Sequence, residues 1–371
     1  MLTLTDEQRL LVDSTRRFLR ATPRADPGTA GPAGLAGPTG PAGPTGSEAA
    51  YWACGAELGW TALVAEAGRA GQFLDLALLA REFGRAVAAG PFGPVNVVAA
   101  ALARAGSANQ SEALGALADG TAIAAWIDGT SSLTGGGPGI SAEPTGSGYA
   151  LSGRVGAVEA ACEAGFLLVS TRDARTFLLR VDQPGVSVSR QRSLDLRRTY
   201  GTAVLEDVQV AAAALVGADP DPDLCAWLLD LAVLVQLAEI VGAMDWALDT
   251  TLKWTFDRYS FGRPLAAYQA LQHRAADMKM WLEASSAILA DAARAFETQA
   301  SGRSEIVSGA KAYIGRYGPE LLQECVQFHG GIGVTAEHDL HLYLRRVAAS
   351  VAVHGTAREH AIRVGRLVEA R

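Results

Sequence analysis

The hydrophobic pattern of this 371-residue chain changes twice along its length, and this change most constrains the fold. Before residue 121 and again after Asp221, apolar residues recur at helical spacing. After Asp221 the long periodic segments are 223–257, 265–298, 304–328 and 337–352. Between the two helical parts the pattern becomes short β-type runs separated by Gly, Pro, Asp and Ser.

This order predicts an α+β protein with three domains. We expect an N-terminal helical domain at 1–120, a central antiparallel β-domain at 121–212 and a C-terminal four-helix bundle domain at 213–371. The runs predicted as strands are Ala122–Ile127, Tyr149–Leu151, Phe166–Ser170, Thr176–Val181, Gly185–Ser189 and Ala203–Val208.

Local signals refine the N-terminal part. Residues 3–20 are predicted to form an amphipathic helix with Thr5 as its N-cap. Residues 22–48 are rich in Gly and Pro and are predicted to form a surface loop, although Gly-X-Y triplets between Gly31 and Thr45 match the collagen period. Residues 48–117 return to helical patterns, which Pro91 and Pro94 are expected to break.

Composition excludes several classes of protein. The net charge of -7 argues against a nucleic-acid partner, and no apolar run is long enough to predict a membrane span. The N-terminus lacks the layout of a signal peptide, so a cytoplasmic protein is expected. Four widely spaced cysteines are expected to be buried thiols, and His338 and His341 lack a third ligand for a metal site.

Two blocks near the C-terminus carry a family resemblance. Arg258-x-x-Phe261-Gly262-x-Pro264-Leu265 is followed some 60 residues later by Gln327-x-His329-Gly330-Gly331-x-Gly333, and then by Val353-His354-Gly355-Thr356. In order and spacing these blocks resemble the acyl-CoA dehydrogenase family. Glu57-Leu58-Gly59-Trp60 and Glu82-Phe83-Gly84-Arg85 resemble its N-terminal helical domain.

The resemblance implies an FAD site. Arg258 would bind phosphate through forked donors, Ser260 would add a hydroxyl, and Gln327 would bond the adenosine part. Gly330 and Gly331 would allow close backbone approach. Phe261 and Thr356 belong to the same motifs. In family dimers these groups reach the flavin of the neighbouring subunit. The residue-level alternatives are a solvated cation for Arg258 and a helix C-cap for the glycines.

The sequence departs from the family at the catalytic position. The resemblance implies that a glutamate removes the substrate α-proton, but His354 occupies that position. The alternative glutamate position on the preceding long helix is Ala232, and a nearby arginine position is Val233. Glu239 on that helix is interpreted as structural or surface-facing. The flavin-wrapping segments of the β-domain are replaced by Ala125–Asp128 and Gly156–Glu159.

Three functions remain open on this basis. The first is a half-site or non-catalytic subunit that supplies part of an FAD site for α,β-desaturation of an acyl thioester, beside a catalytic homologue; FAD would be shared with that partner or held mainly by it. The second is a homo-oligomeric enzyme that acts on acyl-CoA or an acyl-carrier protein and uses His354, or a substrate group, as base. The third is a flavin-free binding or scaffold protein. The segments 223–257 and 265–298 carry more apolar residues than one face of a bundle requires, so an oligomer formed through the C-terminal helices is expected.

Overall fold

The computed structural model describes residues 4–21, 47–66, 68–130 and 139–369. Most of the predicted Gly/Pro-rich loop at 22–48 lies outside these residues. Within them the chain forms α1 (Asp6–Ala21), α2 (Ser47–Glu57), α3 (Gln72–Ala86), α4 (Phe92–Ala105), α5 (Ser111–Ala118), α6 (Pro222–Asp257), α7 (Gln269–Glu297), α8 (Arg303–His329), α9 (Leu340–Ser350) and α10 (Ala357–Glu369).

Strands occupy the middle of the chain and one short hairpin. They are β1 (Ala124–Asp128), β2 (Ile140–Thr145), β3 (Gly148–Glu159), β4 (Phe166–Ser170), β5 (Thr176–Arg180), β6 (Val186–Gln191), β7 (Tyr200–Ala211), β8 (Tyr259–Ser260) and β9 (Arg263–Pro264). The order of helices, strands and helices confirms the predicted α+β fold. Strand β2 was not predicted.

The central strands form two sheets, ordered β1-β4-β5 and β2-β3-β7-β6, with a shared apolar core. Every described pairing in them is antiparallel except β1 with β4, which is parallel. A parallel pair needs a long crossover, and here the chain from 129 to 165, which contains β2 and β3, makes that connection. Strand β3 bulges between Val155 and Val158, and Ala157 there has φ 55°.

Capping follows the sequence at the first helix. The Thr5 hydroxyl accepts a hydrogen bond from the Gln8 backbone N–H at 3.2 Å, and the Gln8 side chain accepts one from Thr5 N–H at 3.1 Å. This reciprocal pair satisfies two free donors at the helix start.

Farther on, the helical run ends before Pro91, whereas Pro94 lies in the first turn of α4, where a missing N–H costs little.

Helix α6 is the core of the C-terminal part. It packs against α3, α4, α7, α8 and α9. Its most apolar 18-residue window has a mean hydropathy of 2.0, enough for a membrane span by composition, but 89% of that window is buried within the chain. The apolar excess of α6, expected to need a partner chain, is therefore covered mainly by helices of the same chain.

The helices α6, α7, α8 and α10 form the C-terminal bundle, with α10 packed on α8. The fourth segment predicted from the sequence, 337–352, corresponds instead to the short α9. The expectation of four buried thiols is wrong in part, because Cys225 and Cys325 are buried whereas Cys54 is exposed and Cys162 is half-buried. All four are free.

Candidate functional site

Most of the predicted cofactor-binding residues lie together at one end of the bundle. The C-terminal ends of α6 and α8 meet there, since the Trp254 ring stacks on His329 with centroids 5.2 Å apart. Arg258 directly follows α6, and its side chain is exposed, with no ion pair recorded in the described part of the chain. Gln327, Gly330 and Gly331 are also exposed. This end thus presents a guanidinium, an amide and a glycine backbone to the outside.

The β8–β9 hairpin projects from the same end. Phe261, at its tip, has φ 49° and is 97% exposed, and Gly262 follows with φ 78°. Positive φ at both central residues is the geometry of a tight two-residue hairpin turn. The Tyr268 hydroxyl donates to the Ser260 carbonyl at 2.6 Å and braces the hairpin. An aromatic ring held in water on a braced hairpin indicates a contact surface for another molecule.

Thr356 does not join this group. Its hydroxyl and its backbone N–H both donate to Glu359, at 2.9 and 2.7 Å, and Glu359 N–H donates back to the hydroxyl at 3.3 Å. These bonds form a capping box for α10. Thr356 is therefore the N-cap of α10, close to His354 and away from the bundle end.

His354 lies in the wall of a cavity of about 410 Å³ between the β-domain and the helices. Its backbone is left-handed, with φ 56°, and its ring is stacked on Trp126 with centroids 5.4 Å apart and planes inclined by 23°. Burial, with help from the nearby charge of Lys311 and from His360, lowers the pKa of His354 to about 3. The ring is therefore neutral and weakly basic near pH 7.

Two buried basic side chains, Lys311 and His360, donate hydrogen bonds to backbone carbonyls of the turn that carries His354. Lys311, which is 0% exposed, donates to the side-chain oxygen of Gln236 and to the carbonyls of Ser350 and Val353, the latter two at 3.3 and 3.1 Å. His360 Nε2 donates to the His354 carbonyl at 2.8 Å. Burial lowers the pKa of Lys311 to about 7. Sequence analysis missed Lys311, whose one signal is a lysine inside an apolar helical stretch.

Four charged side chains of the same cavity form a buried network with Asp195. Arg198 donates to Glu159 and, at 2.7 Å, to Glu239. Arg346 donates to Asp195 and to the Ala88 carbonyl at 3.0 Å, and lies 3.8 Å from Glu239. Glu239 is only 4% exposed, so the surface-facing interpretation of this residue is wrong. Burial raises the pKa of Glu159.

The two other positions that the family resemblance associates with catalysis, Ala232 and Val233, carry no proton acceptor. Ala232 lines the cavity and Val233 is fully buried. Asp230 is fully buried, and its carboxylate accepts hydrogen bonds from Arg303, Ser304 and Arg363. Asp128 at the end of β1 also lines the cavity; burial raises its pKa, and one carboxylate oxygen accepts from the Thr130 hydroxyl at 2.6 Å.

A second groove, of about 340 Å³, lies between the first turns of α6 and one side of α10. It carries three guanidinium groups, of which Arg363 is paired with Asp230. Arg172 and Arg366 have no ion pair recorded in the described ranges. Across the parts of the chain that the structure describes, no group of three His, Cys, Asp or Glu side chains is placed to hold a metal ion.

Comparison with known proteins matches this architecture. The family model "Acyl-CoA dehydrogenase, C-terminal domain" matches residues 226–368. The acyl-CoA dehydrogenase FadE27 of Mycobacterium tuberculosis is 30% identical over 296 residues, which cover 76% of this chain and 77% of that protein.

Two solved structures extend the match over the whole chain. A variant of the Tcur3481–Tcur3483 steroid ACAD has a TM-score of 0.84 and 27% identity, with 99% of each chain covered. The ChsE4–ChsE5 complex from Mycobacterium tuberculosis has a TM-score of 0.82 and 25% identity, with 100% of this chain and 99% of that chain covered.

Proposed function

Since this chain belongs to the acyl-CoA dehydrogenase family, we propose that it is a half-site subunit of a cytoplasmic, FAD-linked acyl thioester dehydrogenase. In this proposal a homologous partner carries the catalytic glutamate. This chain supplies groups at its bundle end to the cofactor held between them. The observation that carries the proposal is the state of His354, a neutral imidazole stacked on Trp126 with a pKa of about 3.

A general base works best when its pKa lies near the working pH. Removal of an α-proton from a thioester needs a strong acceptor, and burial beside Lys311 makes His354 a weaker acceptor than free imidazole. Ala232 offers no titratable group. Because neither position that the family resemblance assigns to the base carries a strong acceptor, the proposal places the proton acceptor on another chain.

The exposed bundle end suits a cofactor held partly by a neighbour. Arg258 would meet the FAD pyrophosphate, because a guanidinium binds phosphate through paired donors. Ser260 and Gln327 would add polar contacts, Gly330 and Gly331 would allow the backbone to approach, and Phe261 would pack against the ligand or the neighbour. FAD would supply hydride acceptance when bound.

Two solved relatives bear on assembly. The names of the Tcur3481–Tcur3483 protein and of the ChsE4–ChsE5 complex each join two different components. By analogy, we propose a complex of this chain with a homologous, glutamate-bearing chain. The acyl group, and whether CoA or a carrier protein delivers it, stay open.

The test is the visible absorbance and turnover of the purified chain, alone and after co-expression with a glutamate-bearing homologue. We expect the chain alone to be colourless or weakly flavinylated and inactive. The co-expressed pair should contain FAD and desaturate an acyl-CoA. A yellow, active preparation of this chain by itself would contradict the proposal.

One observation favours the second candidate, a homo-oligomeric enzyme. Asp128 lies in the same cavity as His354, and its raised pKa makes it a stronger proton acceptor than that imidazole. The groove with Arg172 and Arg366 would then receive the anionic part of a thioester carrier. If the chain alone were active, Asp128→Asn should abolish turnover whereas His354→Ala should not.

A further inference from the structure

A short turn, residues 330–337, joins α8 to α9 at the exposed bundle end. It begins with Gly330 and Gly331, forms a 3₁₀ helix to Val334, and exposes 74% of the Val334 side chain. Two histidines bracket it, because His329 is the last residue of α8 and His338 follows the turn. Their rings lie 4.5 Å apart, so the side chains close the turn at its base.

The hydrogen bonds assign a tautomer to each neutral ring. His329 Nδ1 lies 2.8 Å from the Cys325 carbonyl, so this nitrogen carries the proton. His338 Nδ1 accepts from Leu340 N–H at 3.1 Å, so its proton is on Nε2. A second proton would therefore enter at Nε2 of His329 or at Nδ1 of His338.

Both of those atoms are poor sites for a proton. Within the described residues, His329 Nε2 is buried and has no hydrogen-bond partner. A proton on His338 Nδ1 would face the Leu340 N–H, donor against donor, at the start of α9. The positive end of a helix dipole adds to this cost.

The surroundings offset only part of the cost of an added charge at His329. Burial lowers the pKa of His329 most, the hydrogen bond to the Cys325 carbonyl in α8 raises it, and His338 lowers it further. Helix α6 contributes the Trp254 ring, which carries no formal charge. The charge of Asp339 raises the pKa of His338, whereas His341 lowers it. Burial is the main cause that lowers the pKa of both histidines.

We propose that neutral His329 and His338 are positioning residues that hold the 330–337 turn in the shape presenting Gly330 and Gly331 to the cofactor, and that protonation of either ring releases the turn. This inference rests on the proposed half-site function for its link to FAD. The positioning itself is a property of this chain alone.

The tautomers determine whether acid or base favours opening of the 330–337 turn. An opened turn would return each histidine to a free value of about 6.5. The open form then binds protons more readily than the closed form, so acid favours opening. At pH 5.5 the open state should gain up to about tenfold per histidine relative to pH 7.5.

Hydrogen–deuterium exchange of the 330–337 amides at pH 7.5 and 5.5, corrected for intrinsic rates, tests the positioning. We expect the exchange rate in the unmodified chain to rise at pH 5.5 by up to about tenfold per histidine.

The variant His338→Asn should remove much of this rise, since asparagine can accept a hydrogen bond from the N–H two residues on and does not titrate. His329→Phe keeps a ring against Trp254, and the double variant should show no rise. His273→Asn, on the exposed face of α7, is the control and should behave as the unmodified chain.

A rise that is absent in the unmodified chain, or that persists in the double variant, would overturn the inference whatever the fate of the half-site proposal. In the co-expressed complex, FAD retention after gel filtration at pH 5.5 tests the link to the cofactor. The double variant should retain more FAD than the unmodified complex. Equal loss from both would break that link while leaving the half-site proposal standing.

Discussion

The imidazole of His354 stacks on the indole of Trp126, with ring centroids 5.4 Å apart and planes inclined by 23°. The contact joins the turn after α9 to strand β1, and so joins the helical part to the β-domain across the cavity. It places two large rings where the family resemblance implies a carboxylate. The stack therefore fills this part of the cavity wall with two aromatic rings.

His354→Ala should leave turnover of the co-expressed complex within about twofold, because the side chain removes no proton in the proposed mechanism. The pKa of about 3 also keeps His354 neutral from pH 5 to 8, so this residue should shape no limb of a pH–rate profile there. Steady-state kinetics across that range check both points. A large loss of turnover in the variant, with the thermal midpoint unchanged, would contradict the proposed mechanism.

Arg258→Ala should weaken FAD retention in the complex by about 10- to 100-fold, since a hydrogen bond to a charged phosphate contributes about 1.5–3 kcal/mol. The thermal midpoint should stay nearly constant because the side chain is exposed. Arg294→Ala, at an exposed pair with Asp291, is the matched control for both measurements. Early melting with full flavin content would show that Arg258 is structural.

Arg198→Leu should destabilise the fold by about 3–5 kcal/mol, because it leaves the buried carboxylates of Glu159 and Glu239 without their partner. The double variant Arg198→Leu/Glu239→Leu should recover part of the loss, since one uncompensated charge is then removed. Urea denaturation measures both, with Arg180→Ala at an exposed pair as control. A single variant as stable as the unmodified chain would mean that the network is not energetically coupled.

Lys311→Met should flatten the pH dependence of stability in the alkaline range. The folded-state pKa of about 7 lies below the value of about 10.4 expected in the unfolded chain. The unfolded state therefore binds the proton more readily, and stability should rise as pH increases from about 7 to about 10. Denaturation curves over this range should show the rise in the unmodified chain and in Lys279→Met, an exposed control, but not in Lys311→Met. The same slope in all three would contradict the assignment.

Long periodic segments were predictable because helix-forming patterns depend on local spacing. The segments 223–257 and 304–328 differ from α6 and α8 by at most one residue at either end. Strand β2 escaped prediction, since Ile140–Thr145 includes a proline and exposes half of its residues, so its apolar alternation is weak. Helix α10 was also not predicted, although it completes the bundle. Domain boundaries stay a prediction.

At the site, sequence motifs identified the residues at the bundle end and the missing glutamate, and the structure groups most of them. The charged groups around the cavity were not predictable in the same way. Glu159, Arg198 and Glu239 lie on three separate elements, so no local pattern in the sequence pairs them. Their partnership depends on how β3, the segment before β7, and α6 pack.

The sequence by itself determined the succession of a helical, a β and a second helical part, the family, and the absence of a carboxylate at residue 354, because these depend on residue identity and local spacing. Only the tertiary structure decided that His354 is a neutral ring against Trp126, that Lys311 holds its turn, and that Arg198 joins two buried glutamates. The physical reason is that protonation and ion pairing depend on burial and on neighbours distant in sequence. Those neighbours are brought together by packing, and no local pattern encodes their distances.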